Sequence, residues 1–143
     1  MSVIVQDSGF VADDWDREIL DWDVTSQSSW EPAMGYGLDI PNTLLASQLT
    51  AYFNRVGLIV IFFPNSHDGR GFTIARQLRL LGFRGRLRAR GGLIADQYAM
   101  ARRSGFDEVE ISDEMAARQP EDQWLARAKW QAHDYQSRLR RAR

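Results

Sequence analysis

Apolar residues along this chain come in short bursts separated by glycines and polar residues. Leu58-Ile59-Val60-Ile61-Phe62-Phe63, rich in β-branched and aromatic side chains, predicts a buried strand. Tyr36 to Ile40, Arg86 to Ala89 and Glu108 to Ile111 predict shorter strands, and Val3-Ile4-Val5 another near the start. Between them the apolar positions shift to helical spacing. Pro41 and Asn42 open a helix with Leu44, Leu45, Leu49 and Tyr52 or Phe53 inward. A second helix carries Ile74, Leu78 and Leu81, with Arg76 and Arg79 on another face. A third, opened by Gly91-Gly92, runs through Leu93, Ile94, Tyr98, Met100 and Ala101.

Three of these boundaries share one pattern. Gly57, Gly82 and Gly105 each end a helix just before an apolar residue and a strand, as a left-handed C-terminal glycine does. They lie 25 and 23 residues apart, the length of one αβ unit. Repeated units of that kind predict an α/β fold with a small parallel sheet and right-handed crossovers. The sheet is either open and doubly wound or partial-barrel-like. Beyond Ile111, Ser112-Asp113-Glu114 starts a short helix. Pro120, Glu121 and Asp122 start a longer one, from Trp124 to about Arg138, with Trp124, Ala128, Ala132, Tyr135 and Leu139 on its apolar side. His133 is expected at the surface of that helix.

The 143 residues suit one domain. Residues 1–34 are expected to be an irregular acidic segment in which Trp15, Trp22 and Trp30 pack on the domain. Residues 35–118 form the βα core, and 119–143 the C-terminal helix and basic tail. Charge is segregated along the chain, although the net is only −1. Residues 1–68 hold ten acids against Arg17 and Arg55, whereas Arg70 to Arg103 hold nine arginines against Asp96 alone. Either an anionic ligand or the chain's own acidic segment would answer that polarity. The absence of cysteine excludes disulfides, thiolate clusters and cysteine nucleophiles within this chain. No signal-peptide pattern or membrane-length apolar run is present, so a cytoplasmic protein without a membrane partner is expected. The arginine-rich tail lacks an aromatic platform, so nucleic acid is not the expected partner.

Parallel sheets bind ligands at the carboxyl ends of their strands. Pro41-Asn42, the loop Asn65 to Gly71, Arg90-Gly91-Gly92 and Ser112-Asp113 meet at that edge. Arg70 and Arg90 would then face one crevice. Ser66, Asp68, Gly69, Arg70, Gly71, Arg90, Gly91 and Gly92 are the expected ligand-binding residues, with backbone donors and guanidinium groups suited to sulfite, sulfate or phosphate. His67 and Asp68 are the acid/base candidates in the loop. No metal-ligand spacing and no flavin or nicotinamide motif is visible.

Several of these motifs together resemble a known family. They are Phe63-Pro64, Asp68-Gly69-Arg70-Gly71 with Phe72 through Arg79, Gly82 through Ala89, Asp96-Gln97, and Arg103 through Asp107. In that order, and with Trp130 to Gln136 closing the match, they are similar to a bacterial family of unknown function (a DUF). Its genes commonly lie beside assimilatory sulfite reductase, and its members are labelled oxidoreductases of sulfite reduction. The resemblance implies a role in sulfur metabolism and sulfite reductase as a partner. The chain departs from the family's pattern at Phe72-Thr73, at Gly92 where Asp is frequent, and at Ser104 where Cys is frequent. Three readings remain open: an accessory protein binding an oxyanion or the reductase at Asp68–Gly71, a small enzyme using His67 or Asp68, and a plain interaction domain.

Overall fold

The computed structural model describes residues 2–23 and 34–133. Seven strands form one sheet: β1 Ser2–Gln6, β2 Gly9–Val11, β3 Ile19–Asp21, β4 Tyr36–Ile40, β5 Val56–Phe63, β6 Arg86–Gly91 and β7 Glu108–Ser112. The helices are α1 Arg70–Leu80, α2 Tyr98–Ser104, α3 Asp113–Arg118 and α4 Glu121–Leu125, with 3-10 turns at Ala46–Tyr52, Ala95–Gln97 and Trp130–His133. The strands lie in the order β2-β1-β7-β6-β5-β4-β3. From β3 to β7 they run parallel, while β1 and β2 join antiparallel beyond β7.

The parallel part confirms the α/β reading and narrows it. Strands β3 to β7 follow one another in space as they do in the chain, so each crossover steps the same way. With right-handed crossovers this winds the β4–β5, β5–β6 and β6–β7 connections over one face. The sheet is therefore singly wound and open, not doubly wound and not closed. On the helix-covered face, Leu38, Ile59, Ile61, Phe63, Leu87, Ala89 and Val109 form the core with Phe72, Ala75 and Leu78 of α1 and Tyr98 and Ala101 of α2. Gly82 and Gly105 stop α1 and α2 in the left-handed region, at φ 104° and 114°. Gly57 does not. It lies inside β5, where a Cβ would come within 2.9 Å of the Gly35 carbonyl oxygen.

The first 23 residues are more ordered than their pattern suggested. They supply both outer pieces of the sheet, the β1–β2 hairpin at one edge and β3 at the other. Ala12 to Glu18 must then pass from one edge to the other. The sheet spans six strand spacings of about 4.8 Å, roughly 29 Å. Eight residue steps from Val11 to Ile19 reach about 26–29 Å when extended. The segment is a taut strap across the face that, among the described residues, carries no helices. Trp15 lies against Gly37 and Gly57 of β4 and β5, where any side chain would collide with it. Trp22 packs edge-on to Tyr52 at 5.4 Å, while Trp30 lies outside the described residues.

Beneath the strap, β6 alternates. Leu87 and Ala89 enter the core, so Arg86, Arg88 and Arg90 point to the strap side. Arg88 has no solvent exposure. Its guanidinium donates to Glu108 at 2.7 Å, Glu110 at 3.0 Å and Asp13 at 2.9 and 3.1 Å. Arg86 joins Asp14 to Glu108. The hydrogen bond from Arg88 holds the Asp13 carboxyl below its ordinary 3.8, against a smaller opposing effect of burial. Ile4, Leu58 and Val60 are buried around this cluster.

Four expectations need correction. The Pro41 helix is only a 3-10 turn; it buries Ala46 and Leu49 but leaves Leu45 exposed. Leu81 and Met100 likewise face outward. The Gly91-Gly92 pair does not open a helix, because β6 runs through Gly91 and α2 starts at Tyr98. The long C-terminal helix is broken: α4 ends at Leu125 and a 3-10 turn follows at Trp130–His133. Tyr135, Leu139, the arginine tail and the side chains of Ala132 and His133 lie outside the described residues.

The ion cluster sets two expected outcomes. Glu108→Ala should cost about 3–5 kcal/mol in urea unfolding, because it strands a buried guanidinium. Asp13→Ala, removing a carboxylate that is 36% exposed, should cost about 1 kcal/mol or less. Asp13 titrates below 3.8 when folded, so its stabilisation is complete above that pH and is lost as pH falls through the depressed value. Between pH 5 and 3, on the order of the range where aspartates titrate, the wild-type urea midpoint should therefore fall more steeply than that of Asp13→Asn.

Candidate functional site

The carboxyl edge of the parallel strands does gather the segments that the sequence placed there. Phe63 accepts the Gly92 N–H at 2.8 Å through its carbonyl, and the Ser66 carbonyl accepts the Gln97 side chain at 2.7 Å. Within the loop, Asn65 accepts the His67 N–H through its side chain at 2.8 Å. Asp68 takes Arg70 in a two-pronged pair, Nε at 3.0 Å and Nη2 at 2.7 Å, together with the Arg70 backbone N–H at 3.2 Å. That pairing holds the Asp68 carboxyl far below the usual carboxylate range, aided by the adjacent Asn42 amide. The Asn42 Nδ2 itself completes no hydrogen bond of good geometry.

This geometry changes the chemistry of the loop. The charge of Arg70 is already answered two residues away, and Asp68 stays ionised and engaged. His67 is exposed. The glycines serve packing. A Cβ on Gly71 would lie 2.4 Å from the Phe63 ring, one on Gly91 2.3 Å from the Phe63 carbonyl oxygen, and one on Gly92 2.6 Å from Asn65 Cα. Gly71 thus lets α1 settle on β5, and Gly91 and Gly92 let the strand end close against its neighbour. Only Gly69 has room, with nothing nearer than 3.7 Å.

Arg70 and Arg90 do not meet in one crevice. Arg90 projects from the strap face, over the Phe62 ring at 4.8 Å, with Nη2 on Asp39 at 2.9 Å. It separates a cavity of about 360 Å³, lined among others by Ser2, Pro64, Glu110 and Ser112, from a cleft of about 180 Å³ lined by Asp21, Asp23 and Asp39. Arg70 lines neither. Burial raises the Asp39 carboxyl, and Arg90 offsets only part of that rise. Among the described residues no group of histidines and carboxylates is arranged to hold a metal. No described helix is long and apolar enough to cross a membrane.

Three polar residues make contacts that the sequence pattern did not assign to them. Gln97 ties the loop to the entrance of α2 by also accepting the Ile94 N–H. Gln119 accepts the Ala95 N–H at 2.6 Å. Asp7, in the β1–β2 turn, accepts from the Tyr98 hydroxyl, Arg102 and Trp130. Burial alone would raise its carboxyl, but those hydrogen bonds outweigh it and bring it below 3.8. A lone aspartate in a tight hairpin turn is the signal that marks it. Ser104 is buried and donates to the Met100 carbonyl.

Fold and edge together define an open, singly wound α/β domain whose loop charges are neutralised internally. The chain belongs to a family of bacterial proteins of unknown function, DUF934, whose model matches residues 37–143. The match spans β4 to the end, so the hairpin, the strap and β3 precede it. Neither a curated protein nor a solved structure matches the chain.

The two loop glycines provide a direct check on packing against ligand approach. Gly71→Ala should destabilise by about 1–3 kcal/mol through its clash with Phe63. Gly69→Ala, at φ −90° and with open space, should stay within about 0.5 kcal/mol of wild type. Thermal melts of the two variants compare them directly.

Proposed function

We propose that this protein is an accessory of assimilatory sulfite reduction that works by docking on a partner protein. Sulfite reductase is the partner to which the family resemblance points. One observation carries the docking reading. On the helix-covered side, Leu45, Leu80 and Leu81 stand 64%, 80% and 47% exposed around a groove of about 380 Å³ between the Ala46–Tyr52 turn and α1. Leucines that open cost solubility unless a partner covers them.

The groove also has a charge preference. Arg76 precedes Leu80 by one helical turn, and Arg84 follows Leu81 by three residues; both are exposed. Among the described residues neither makes an ion pair, unlike the arginines of the strap face. Between Asp39 and Asp96 the only acid is Asp68, which is held by Arg70. A groove between two helical elements, lined by leucines and with two unpaired arginines near it in sequence, suits an amphipathic helix with acidic flanks. Oxyanion binding at Asp68–Gly71 draws less support, because Arg70 would have to leave Asp68. An acid/base role for His67 and Asp68 gains nothing from a carboxylate locked in its ionised form.

Titration of purified sulfite reductase into labelled protein tests this reading. Leu80→Asp should weaken binding by at least about tenfold, worth about 1.4 kcal/mol, while Arg70→Ala should leave it unchanged. Equal binding by Leu80→Asp would remove the groove from the interface. No binding by the wild-type protein would remove the reductase as the partner. A concentration-dependent dimer that Leu80→Asp dissolves would assign the groove to a second copy instead.

A further inference from the structure

Arg90 and Glu110 are direct register neighbours on β6 and β7, on the same face of the sheet, and both line the 360 Å³ cavity. Opposite charges so placed ordinarily join. Here they turn away from each other. Arg90 reaches across to Asp39 on β4, and Glu110 gives Oε1 to Arg88 at 3.0 Å. Among the described residues no acceptor meets the Arg90 Nε, which is buried, and no donor meets Glu110 Oε2. Ser2, Ser112, Phe62 and Pro64 also line the cavity.

We propose that this cavity binds a free α-amino acid, its carboxylate on Arg90 and its ammonium on Glu110. The charge balance selects that class over a simple oxyanion. A sulfate or phosphate at Arg90 would bring uncompensated negative charge beside Glu110 and Asp39, because Arg88 and Arg90 already answer those two carboxylates. A zwitterion instead meets each charge with its opposite and brings no net charge into a partly closed site. The ligand carboxylate meets the accessible part of the Arg90 side chain, which is 36% exposed. Its ammonium takes the free lone pairs of Glu110 with a serine hydroxyl beside it, and its side chain lies toward Phe62 and Pro64. An amino-acid main chain with a small side chain fits a pocket of this volume. The site lies on the strap side of the sheet, and the docking groove lies on the helix side, so the two proposals stand or fall separately.

The test is a titration followed by amide NMR shifts, using the twenty standard amino acids one at a time, N-acetyl-L-serine, L-serinamide and sodium sulfate as probes. At least one free amino acid should move the amides of Phe62, Gly91 and Glu110–Ser112 saturably. Blocking its amine or its carboxyl should weaken binding by about tenfold or more. Arg90→Met and Glu110→Gln should each abolish the shifts, while Leu80→Asp leaves them intact. Thermal melts confirm that each variant is folded, and Glu110→Asp, which keeps the charge, should retain measurable binding. Sulfate binding as tightly as the best amino acid would overturn the proposal. So would blocked and free forms binding alike, or no amino acid binding the wild-type protein at millimolar concentration.

Discussion

Arg88 occupies the middle of the sheet with no access to water, and its charge has to be answered by groups within reach of one guanidinium. Glu108 and Glu110 from the adjacent strand answer part of it, and Asp13 completes the set from above. Removing a charge of this kind from water costs several kcal/mol unless its hydrogen bonds are met. The strap crosses where Asp13 reaches Arg88 and where Trp15 lies over the glycines of β4 and β5. Among the described residues, the face opposite α1 and α2 is covered by seven residues of chain and an ion cluster and by no helix.

Single winding has a functional consequence. In a doubly wound sheet the strand order reverses and opens a crevice at the carboxyl edge, which is where ligands usually bind. Here strands β3 to β7 run in chain order, so the parallel part has no such reversal. The loop after β5 is instead closed on itself by Asp68, Arg70, Asn65 and the Gln97 side chain. Accessible surface remains in two places: the cavity beside Arg90, lined at the carboxyl ends of β5 to β7 by Pro64, Gly91 and Ser112, and the leucine groove between α1 and the 3-10 turn.

Much of the βα core could be read from local pattern. The β5 burst, the strands at 86–89 and 108–111, and the glycine stops at Gly82 and Gly105 all appear where apolar spacing and left-handed geometry require them. The failures share a cause. Gly57 resembles Gly82 in sequence, but its missing Cβ makes room for Trp15 and the Gly35 carbonyl, contacts formed by distant segments. Leu45 resembles a core leucine at helical spacing, but the turn tightened to a 3-10 run and rotated it outward. The first residues resemble an irregular acidic tail because their partners, β7, β4 and Arg88, lie far along the chain.

The sequence by itself determined the alternation of strands and helices, the buried strand at the centre, and the segregation of acids before Asp68 from arginines after it. These are local properties, decided by side-chain period, backbone preference and count. Tertiary structure alone decided which acid meets which arginine. Arg70 turned to its neighbour Asp68, Arg88 to a carboxylate 75 residues earlier, and Arg90 to Asp39 across two strands. Charge interactions depend on distance and burial, and neither is a property of sequence separation. The availability of an arginine for a ligand was therefore settled only when the sheet brought the carboxylates to it.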